Sequence, residues 1–478
     1  MRLIIGLFQY ASDNVEDHRI ETTSLLLAQP NSLVLLLDVW FRLPQFLLEI
    51  QGNHALFPLS KAVAEIYCEL DNLELKAIVE RELHRGAHGN GRRLYRHIAR
   101  LISILMTLRD DEDEGGILAM LGLASCLLPD GQTHDLRPSV MPRDMINASV
   151  AIVRRHAGQP YEIMVQSACF FLNLAWTGAA DLRPLLWSLQ EGVLPNILRM
   201  RQTKLRKGDP TLLLRNIEKA LAHRRVLRTF WHAYQRDKQA IEQASWHPMI
   251  LDDILRRAQQ NWVILQELQD TWSSMSSHCY NTDCPTPALQ LYQCPCKFAY
   301  YCSKECQKKA WRSNHRRACH ASMWAYIEET KGGFPYPLYS KRDIEYLTRI
   351  SKAYMDDHLD SVYDESRKIE PSLQKTFWLT VSWAGRKPSH WVELAPYFVK
   401  PRMVVMRAAL MMGNELTVVT LPSASLTVRE GLDDKDEEGG KELGADAGSD
   451  GETQESPRID AAEEGAPALS SFAGAERV

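Results

Sequence analysis

Residues 279–319 read CYNTDCPTPALQLYQCPCKFAYYCSKECQKKAWRSNHRRAC, and this stretch decides most of what the sequence reveals about the fold. It holds seven of the ten cysteines of a 478-residue chain, together with one histidine. Cysteines scattered evenly would not reach this density, so the stretch indicates a local site that needs these side chains. The eight candidate ligands are Cys279, Cys284, Cys294, Cys296, Cys302, Cys306, His315 and Cys319.

Two kinds of cross-link could use these cysteines. A disulfide framework is typical of secreted chains, but the sequence shows no signal peptide and the cluster has an odd number of cysteines. Zinc bound by thiolates suits an intracellular chain and explains why a histidine joins the set. We therefore predict a zinc site, and we interpret Cys68, Cys126 and Cys169 as small buried apolar residues.

In chain order the eight candidate ligands form four pairs, which is enough for two tetrahedral zinc sites. The last two pairs have i, i+4 spacing, which brings two side chains to one face of a helix. The first two pairs are typical of loop knuckles. Spacing alone allows either sequential or alternate pairs to share an ion. Sites closed by four protein ligands are structural, and each can contribute on the order of 10 kcal/mol to folding.

The run Tyr301-Cys302-Ser303-Lys304-Glu305-Cys306-Gln307, followed by Trp311, His315 and Cys319, resembles the MYND zinc finger family. That family has seven cysteines and one histidine in the same order. The resemblance covers residues 279–319, under a tenth of the chain. Three spacings differ from the usual pattern. The first pair encloses four residues rather than two, the second encloses one rather than two, and one extra residue separates Trp311 from His315.

The resemblance implies a cross-braced fold in which alternate pairs share a metal, so two Zn²⁺ ions are the expected cofactors. It assigns the first zinc to Cys279, Cys284, Cys302 and Cys306. It assigns the second zinc to Cys294, Cys296, His315 and Cys319. His278 and His320 flank the cluster and are alternative ligands.

The resemblance also implies an interaction module, because some family members bind short proline-containing peptides. Ser303 is a candidate N-cap for a helix that runs towards His315. Gln307 and Trp311 are four residues apart on that helix and match the family positions that line the peptide groove. A tryptophan can stack on a proline ring while a glutamine bonds an extended backbone. The alternative is that Trp311 only packs against the zinc sites.

The finger is also rich in basic residues, which could suggest nucleic acid. Seven cations face only Asp283 and Glu305. Two zinc sites with seven thiolates carry net negative charge, however, so nearby cations can offset it. We favour a solvated helix face, or a partner with acidic flanks, over nucleic acid. The seven cations are Lys297, Lys304, Lys308, Lys309, Arg312, Arg316 and Arg317.

Residues 1–272 are predicted to form a helical scaffold domain. Apolar residues recur with helical spacing in several stretches separated by Gly, Pro and Asp clusters. This pattern predicts an armadillo- or HEAT-like helical array, or an irregular helical bundle. The predicted helices include Arg92–Leu108, Asp144–His156, Tyr161–Trp176 and Leu212–Tyr234, and the predicted breaks include Asp110–Gly116.

Beyond the finger, residues 320–428 are predicted to form a small α+β region. Arg342–His358 has an apolar helical face, and two β-type stretches flank the turn signal Gly413-Asn414. From Glu430 to Val478 there are 15 acidic and 4 basic residues, a net charge of −11 in a chain whose net charge is −4. The other 429 residues therefore carry +7. We predict a disordered acidic tail over residues 429–478.

Composition and motifs argue against several classes of function. The chain is 45% hydrophobic and 24% charged, as ordinary globular proteins are. No stretch is typical of a membrane span, so a nuclear or cytoplasmic location is expected. Nucleotide-binding and hydrolase motifs are absent from the sequence, and we predict no small-molecule substrate.

These observations favour a non-enzymatic adaptor that binds protein partners through its finger. Transcriptional regulators and ubiquitin-ligase adaptors are both compatible with the sequence. The alternative is a SET-type lysine methyltransferase, because MYND fingers also occur inserted in such enzymes. The long helical region upstream and the lack of an Asn-His-Ser run downstream argue against that alternative.

Overall fold

The structure is a computed structural model, and the features of the fold are those of the residues that it describes. They are 30–46, 56–68, 73–108, 111–128, 136, 138, 140–157, 162–179, 181–200, 209–244, 248–275, 279–281, 283–284, 292–294, 299–316, 341–371, 377–385, 387–394, 403–412, 415–421 and 426–427. The predicted disordered tail, residues 429–478, lies outside them.

Twelve described helices precede the finger, which confirms the mainly helical prediction. They are α1 (Pro30–Phe46), α2 (Leu56–Cys68), α3 (Leu73–Gly86), α4 (Gly91–Leu108), α5 (Asp111–Cys126), α6 (Arg143–His156), α7 (Glu162–Gly178), α8 (Arg183–Gln190), α9 (Val193–Arg199), α10 (Pro210–Ala220), α11 (Arg224–Ala244) and α12 (Pro248–Met275).

Helix α4 shows why these stretches fold as helices. Leu94, Ile98 and Leu105 recur at helical spacing and are at most 1% exposed, whereas Arg92 and Arg96 face solvent. An apolar stripe of this kind must pack against another element to leave water. Burial of one such side chain contributes about 1.5–3 kcal/mol, so packing rather than local propensity sustains the helix.

The helices stack as an array, in which many contact both the next helix and the one after it. Arg96 near the start of α4 lies 3.7 Å from Asp144 at the start of α6. Near the other ends, Arg155 of α6 donates a hydrogen bond to the carbonyl of Met106 in α4. Helices α4 and α6 therefore run parallel, as alternate helices do in stacked helical pairs.

Two boundaries differ from the prediction. The sequence predicts a break at Asp110–Gly116, but α5 begins at Asp111. Acidic residues in a first helical turn are stabilised by the positive end of the helix dipole, so an acidic run there starts a helix rather than interrupting one. The sequence also predicts one helix over Leu212–Tyr234, whereas the chain turns between α10 and α11.

The turn between α10 and α11 makes a tertiary contact with β5. It carries His223, which is 6% exposed and whose Nε2 lies 3.0 Å from the carbonyl oxygen of Met411. Burial lowers the pKa of His223 to about 4, so at neutral pH the ring is uncharged and can donate to that carbonyl. Met411 follows 188 positions later in the chain, so no local pattern could reveal this contact.

The described residues of the finger form two short strands and one helix. These are β1 (Tyr292–Gln293), β2 (Tyr300–Tyr301) and α13 (Lys304–Ala310), which continues as a π-helical turn over Trp311–His315. Strands β1 and β2 pair in antiparallel fashion.

Within its described residues, the C-terminal region combines two helices with a five-stranded sheet. Its elements are α14 (Lys341–Asp357), α15 (Leu359–Ile369), β3 (Phe377–Ser382), β4 (Ser389–Leu394), β5 (Met403–Met412), β6 (Glu415–Thr420) and β7 (Leu426–Thr427). The strand order is β4-β3-β5-β6, and β7 pairs with β5. Met412 pairs with Glu415, so β5 and β6 form the predicted hairpin. The parallel pairing of β3 with β5 is an addition that the sequence did not indicate.

The C-terminal region shares one hydrophobic core with the helical array. Helix α14 packs on α12 and on β5. Its Tyr346 is fully buried, and the hydroxyl donates to the carbonyl of Leu221 at 3.3 Å. The Arg224 guanidinium lies 2.7 Å from the carboxylate of Asp343, and both side chains are largely buried. Apolar packing and a buried ion pair therefore join the two regions.

Among the helices that the structure describes, none is long and apolar enough to cross a membrane.

Candidate metal centre

The local geometry around Cys302 follows from strand β2 and helix α13. Cys302 comes directly after the strand, and Ser303 then caps the helix. The Ser303 hydroxyl accepts a hydrogen bond from the backbone N–H of Cys306 at 3.2 Å. The predicted N-cap is therefore present, and it holds Cys306 one turn from Cys302, with their sulfur atoms 3.3 Å apart.

Four thiols converge at this point. The sulfur atoms of Cys279, Cys284, Cys302 and Cys306 all lie within 4.8 Å of one another. Sulfur atoms around a tetrahedral zinc with bonds of about 2.3 Å are about 3.8 Å apart. The four sulfur atoms thus have the number, element and spacing of a closed zinc site, and these residues would hold a structural ion.

A second contact involves the other ligand set. The sulfur of Cys294 lies 3.2 Å from Nε2 of His315, and both residues are buried. Their predicted partners Cys296 and Cys319 lie outside the described residues, as do the alternative ligands His278 and His320. The four-thiol group joins the first pair with the third, as the resemblance implies. The second contact joins one member of the second pair, Cys294, with one member of the fourth, His315.

The π-helical turn accounts for one of the unusual spacings. A π turn adds a residue to a helix without ending it. The turn spans Trp311–His315, which is where the sequence has one residue more than the usual family pattern. His315 is thereby buried near Cys294 while the helix stays continuous.

Sequence reasoning missed Asn281. This buried residue donates a hydrogen bond from its side-chain amide to the sulfur of Cys306 at 3.4 Å. That bond, together with one from the thiol of Cys302, lowers the pKa of Cys306 to about 7. Hydrogen bonding to Cys306 and Cys284 raises the pKa of Cys302 to about 12. The donors beside Cys306 thus favour its thiolate, which is the form of cysteine that binds metal.

The Trp311 side chain packs against the finger on one side and reaches solvent on the other. Its ring centroid lies 5.8 Å from that of His315, so it packs beside a candidate ligand. The same side chain is 37% exposed, which leaves part of the ring for a partner. Gln307 is half-buried one turn earlier, and its carbonyl accepts the backbone N–H of Trp311. The structure thus places Gln307 and Trp311 on one face, next to the metal centre.

An arginine connects the finger to the body. The guanidinium carbon of Arg342, in the first turn of α14, lies 5.4 Å from the ring centroid of Trp272 and 5.9 Å from that of Tyr300. Cation–π contacts of this kind contribute about 0.5–2 kcal/mol each. From its position on α14, the Arg342 side chain therefore contacts both α12 and strand β2 of the finger.

Removing the helix cap should weaken the finger measurably. Replacing Ser303 by alanine leaves the N–H of Cys306 without its acceptor, which costs about 1 kcal/mol. We expect zinc affinity to fall about fivefold in a competition titration with a chelating dye. Ser303→Asp, which keeps an acceptor, is the matched control and should retain near-normal affinity. Equal affinities for wild type and Ser303→Ala would show that the cap does not contribute.

Comparison with known proteins supports this assignment. Residues 278–319 match the family model of the MYND finger. The search of curated proteins finds no match, and neither does the search of solved structures. A MYND finger implies zinc binding and is commonly a protein-interaction module. The chain therefore carries a MYND zinc finger at residues 278–319, placed between a helical array and a mixed α/β region.

Proposed function

We propose that this protein is a non-enzymatic adaptor whose finger, held together by two zinc ions, binds a proline-containing peptide of a partner protein. The first ion is held by Cys279, Cys284, Cys302 and Cys306, and the second by Cys294, Cys296, His315 and Cys319. Neither set leaves a coordination position open for water, so the zinc supplies rigidity rather than catalysis.

One observation carries the proposal. Trp311 is 37% exposed although its helix is anchored on both sides of it, at Cys306 and at His315. A partly exposed aromatic ring on a rigid element loses little entropy on binding, which makes it a strong anchor. Gln307 adds an amide that can bond the backbone of an extended peptide.

The helical array gives the adaptor a second surface. The contact of Arg342 with Trp272 and Tyr300 keeps the finger against the body, so a peptide on the finger and a protein on the array are held at a defined separation. Such an arrangement suits a transcriptional regulator and equally a ubiquitin-ligase adaptor, in the nucleus or the cytoplasm.

The proposal is tested by replacing Trp311 with alanine at matched zinc content. We expect a proline-containing peptide, selected by binding to the wild-type protein, to lose about 30-fold in affinity, since a central aromatic anchor contributes about 2 kcal/mol or more. Tyr292→Ala is the matched control, because Tyr292 is also an exposed aromatic residue of the finger, 49% exposed on β1. Its affinity should stay within twofold of wild type.

Two results would contradict the proposal. Unchanged peptide binding by Trp311→Ala would restrict the ring to packing against His315. Specific binding of S-adenosylmethionine in a calorimetric titration would favour the methyltransferase alternative. Mass spectrometry of proteins captured by the wild type and lost with Trp311→Ala then identifies the process.

A further inference from the structure

The exposed face of helix α13 and its π turn carries two lysines and a tryptophan at helical spacing. Lys304, Lys308 and Trp311 are spaced i, i+4 and i+7, so they form one stripe along the helix, and Gln307 lies beside it. Both lysines are exposed, and neither forms a salt bridge with a residue that the structure describes. We call this set the finger stripe. It presents positive charge at one end and an aromatic ring at the other.

The dimensions of the stripe fit a short extended peptide. Lys304 and Trp311 are seven positions apart, which is about 10 Å along a helix axis at 1.5 Å per residue. Three residues of extended chain also span about 10 Å. A ligand with a proline and, three residues before it, a carboxylate would therefore place the proline ring on Trp311 and the carboxylate at Lys304.

The sequence of this same chain contains such a peptide. Glu463 and Glu464 precede Pro467 by four and three residues, and no basic residue lies between Glu463 and Leu469. Pro457 is the other proline in the acidic segment 430–478, and the residues three and four positions before it are Gln454 and Thr453. These side chains carry no charge, so charge complementarity with the lysines of the finger stripe selects Pro467.

The chain between strand β7 and Glu463 is long enough to reach the finger. Strand β7 ends at Thr427 and pairs with the start of β5, and β5 packs on α14. Helix α14 has 17 residues, about 26 Å, and its first turn carries Arg342 in contact with Tyr300 of the finger. The 36 residues from Thr427 to Glu463 can span more than about 100 Å when extended. Tethering also gives an effective concentration in the millimolar range, far above that of a free competitor.

We propose that the segment Glu463–Leu469 binds the finger stripe of its own chain, with the Pro467 ring on Trp311 and the carboxylates of Glu463 and Glu464 at Lys304 and Lys308. The bound segment covers the peptide site, so an external partner must displace it. The inhibitory consequence rests on the proposed function of the finger, whereas the intrachain contact does not.

Zero-length carbodiimide cross-linking of the full chain tests the contact directly, because this reagent joins carboxylates to amines that touch. We expect links from Glu463 or Glu464 to Lys304 or Lys308, lost at about 1 M NaCl, where the Debye length is about 3 Å. Links to other lysines, or none, would overturn the proposal. A mixture of isotope-labelled and unlabelled protein shows whether a link joins two chains, and a link between chains would overturn it as well.

Peptide affinity tests the inhibition separately. If the segment covers the site nine-tenths of the time, the apparent affinity for an external proline-containing peptide is reduced about tenfold. The variant Glu463→Gln/Glu464→Gln/Pro467→Ala should recover that factor, while the matched control Glu452→Gln/Glu455→Gln/Pro457→Ala should not. Equal affinity in both variants with no cross-link refutes the inference alone. Cross-links without any external peptide binding refute the proposed function instead.

Discussion

Replacement of Cys302 by alanine is expected to release zinc from the finger and to unfold it. Cys302 lies between Cys284 and Cys306, with sulfur–sulfur distances of 3.4 and 3.3 Å, so its loss opens the four-thiol centre. A closed zinc site contributes on the order of 10 kcal/mol to folding, far more than the small finger core can replace. Because α13 and its π turn carry ligands of both groupings, we expect the zinc content to fall from two equivalents to none.

Metal analysis by mass spectrometry under native conditions measures this effect. Cys68→Ala is the matched control, since Cys68 is a half-buried cysteine at the end of α2, outside the finger, and this variant should keep both ions. Far-UV circular dichroism should stay close to wild type for both variants, because most helices belong to the array. Two retained equivalents in Cys302→Ala would exclude Cys302 as a ligand. A single equivalent in the wild type would mean that the second grouping does not hold a metal.

Replacement of Tyr346 by alanine is expected to destabilise the array and the C-terminal region together. Tyr346 is fully buried in the core that the two regions share. Truncation of a large aromatic side chain in such a core costs about 3–5 kcal/mol, since both apolar burial and packing are lost. Chemical denaturation should show a lower midpoint and a single transition, reported equally by helix signal and by tryptophan fluorescence.

The matched control is Tyr346→Phe, which keeps the ring and removes only the hydroxyl that donates to the Leu221 carbonyl. That change should cost about 1 kcal/mol, the usual contribution of one hydrogen bond. Two separate transitions in the wild type, with only one affected by Tyr346→Ala, would show that the regions fold independently. Similar losses in both variants would assign the stability to the hydroxyl rather than to the buried ring.

The finger was largely readable from the sequence because its determinants are local. The candidate ligands are cysteines and a histidine that the sequence shows directly. The cap at Ser303 and the i, i+4 spacing of Cys302 and Cys306 depend on neighbours within one helical turn. The extra residue before His315 was visible too, but its accommodation by a π turn was not. The role of Asn281 could not be predicted from the sequence, because an amide that donates a hydrogen bond to a sulfur follows no recognisable residue spacing.

Helices were predictable for a similar reason, as the burial of Leu94 and Ile98 beside exposed Arg92 illustrates. Apolar periodicity indicates which face of a helix is buried, and this prediction requires no knowledge of the element that the face packs against. The turn between α10 and α11 was not predicted, and the contact of its His223 with β5 joins residues 188 positions apart, which no local pattern reports.

The sequence by itself thus determined the helical class, the presence of the MYND finger and the hairpin between β5 and β6. Only the tertiary structure decided which thiols converge, how β3 pairs with β5, how Arg342 contacts the finger, and how the Arg224–Asp343 pair joins α14 to the array. Local features follow from neighbours along the chain. These contacts join residues many positions apart, and they form only where burial of a common core outweighs the entropy of closing long loops.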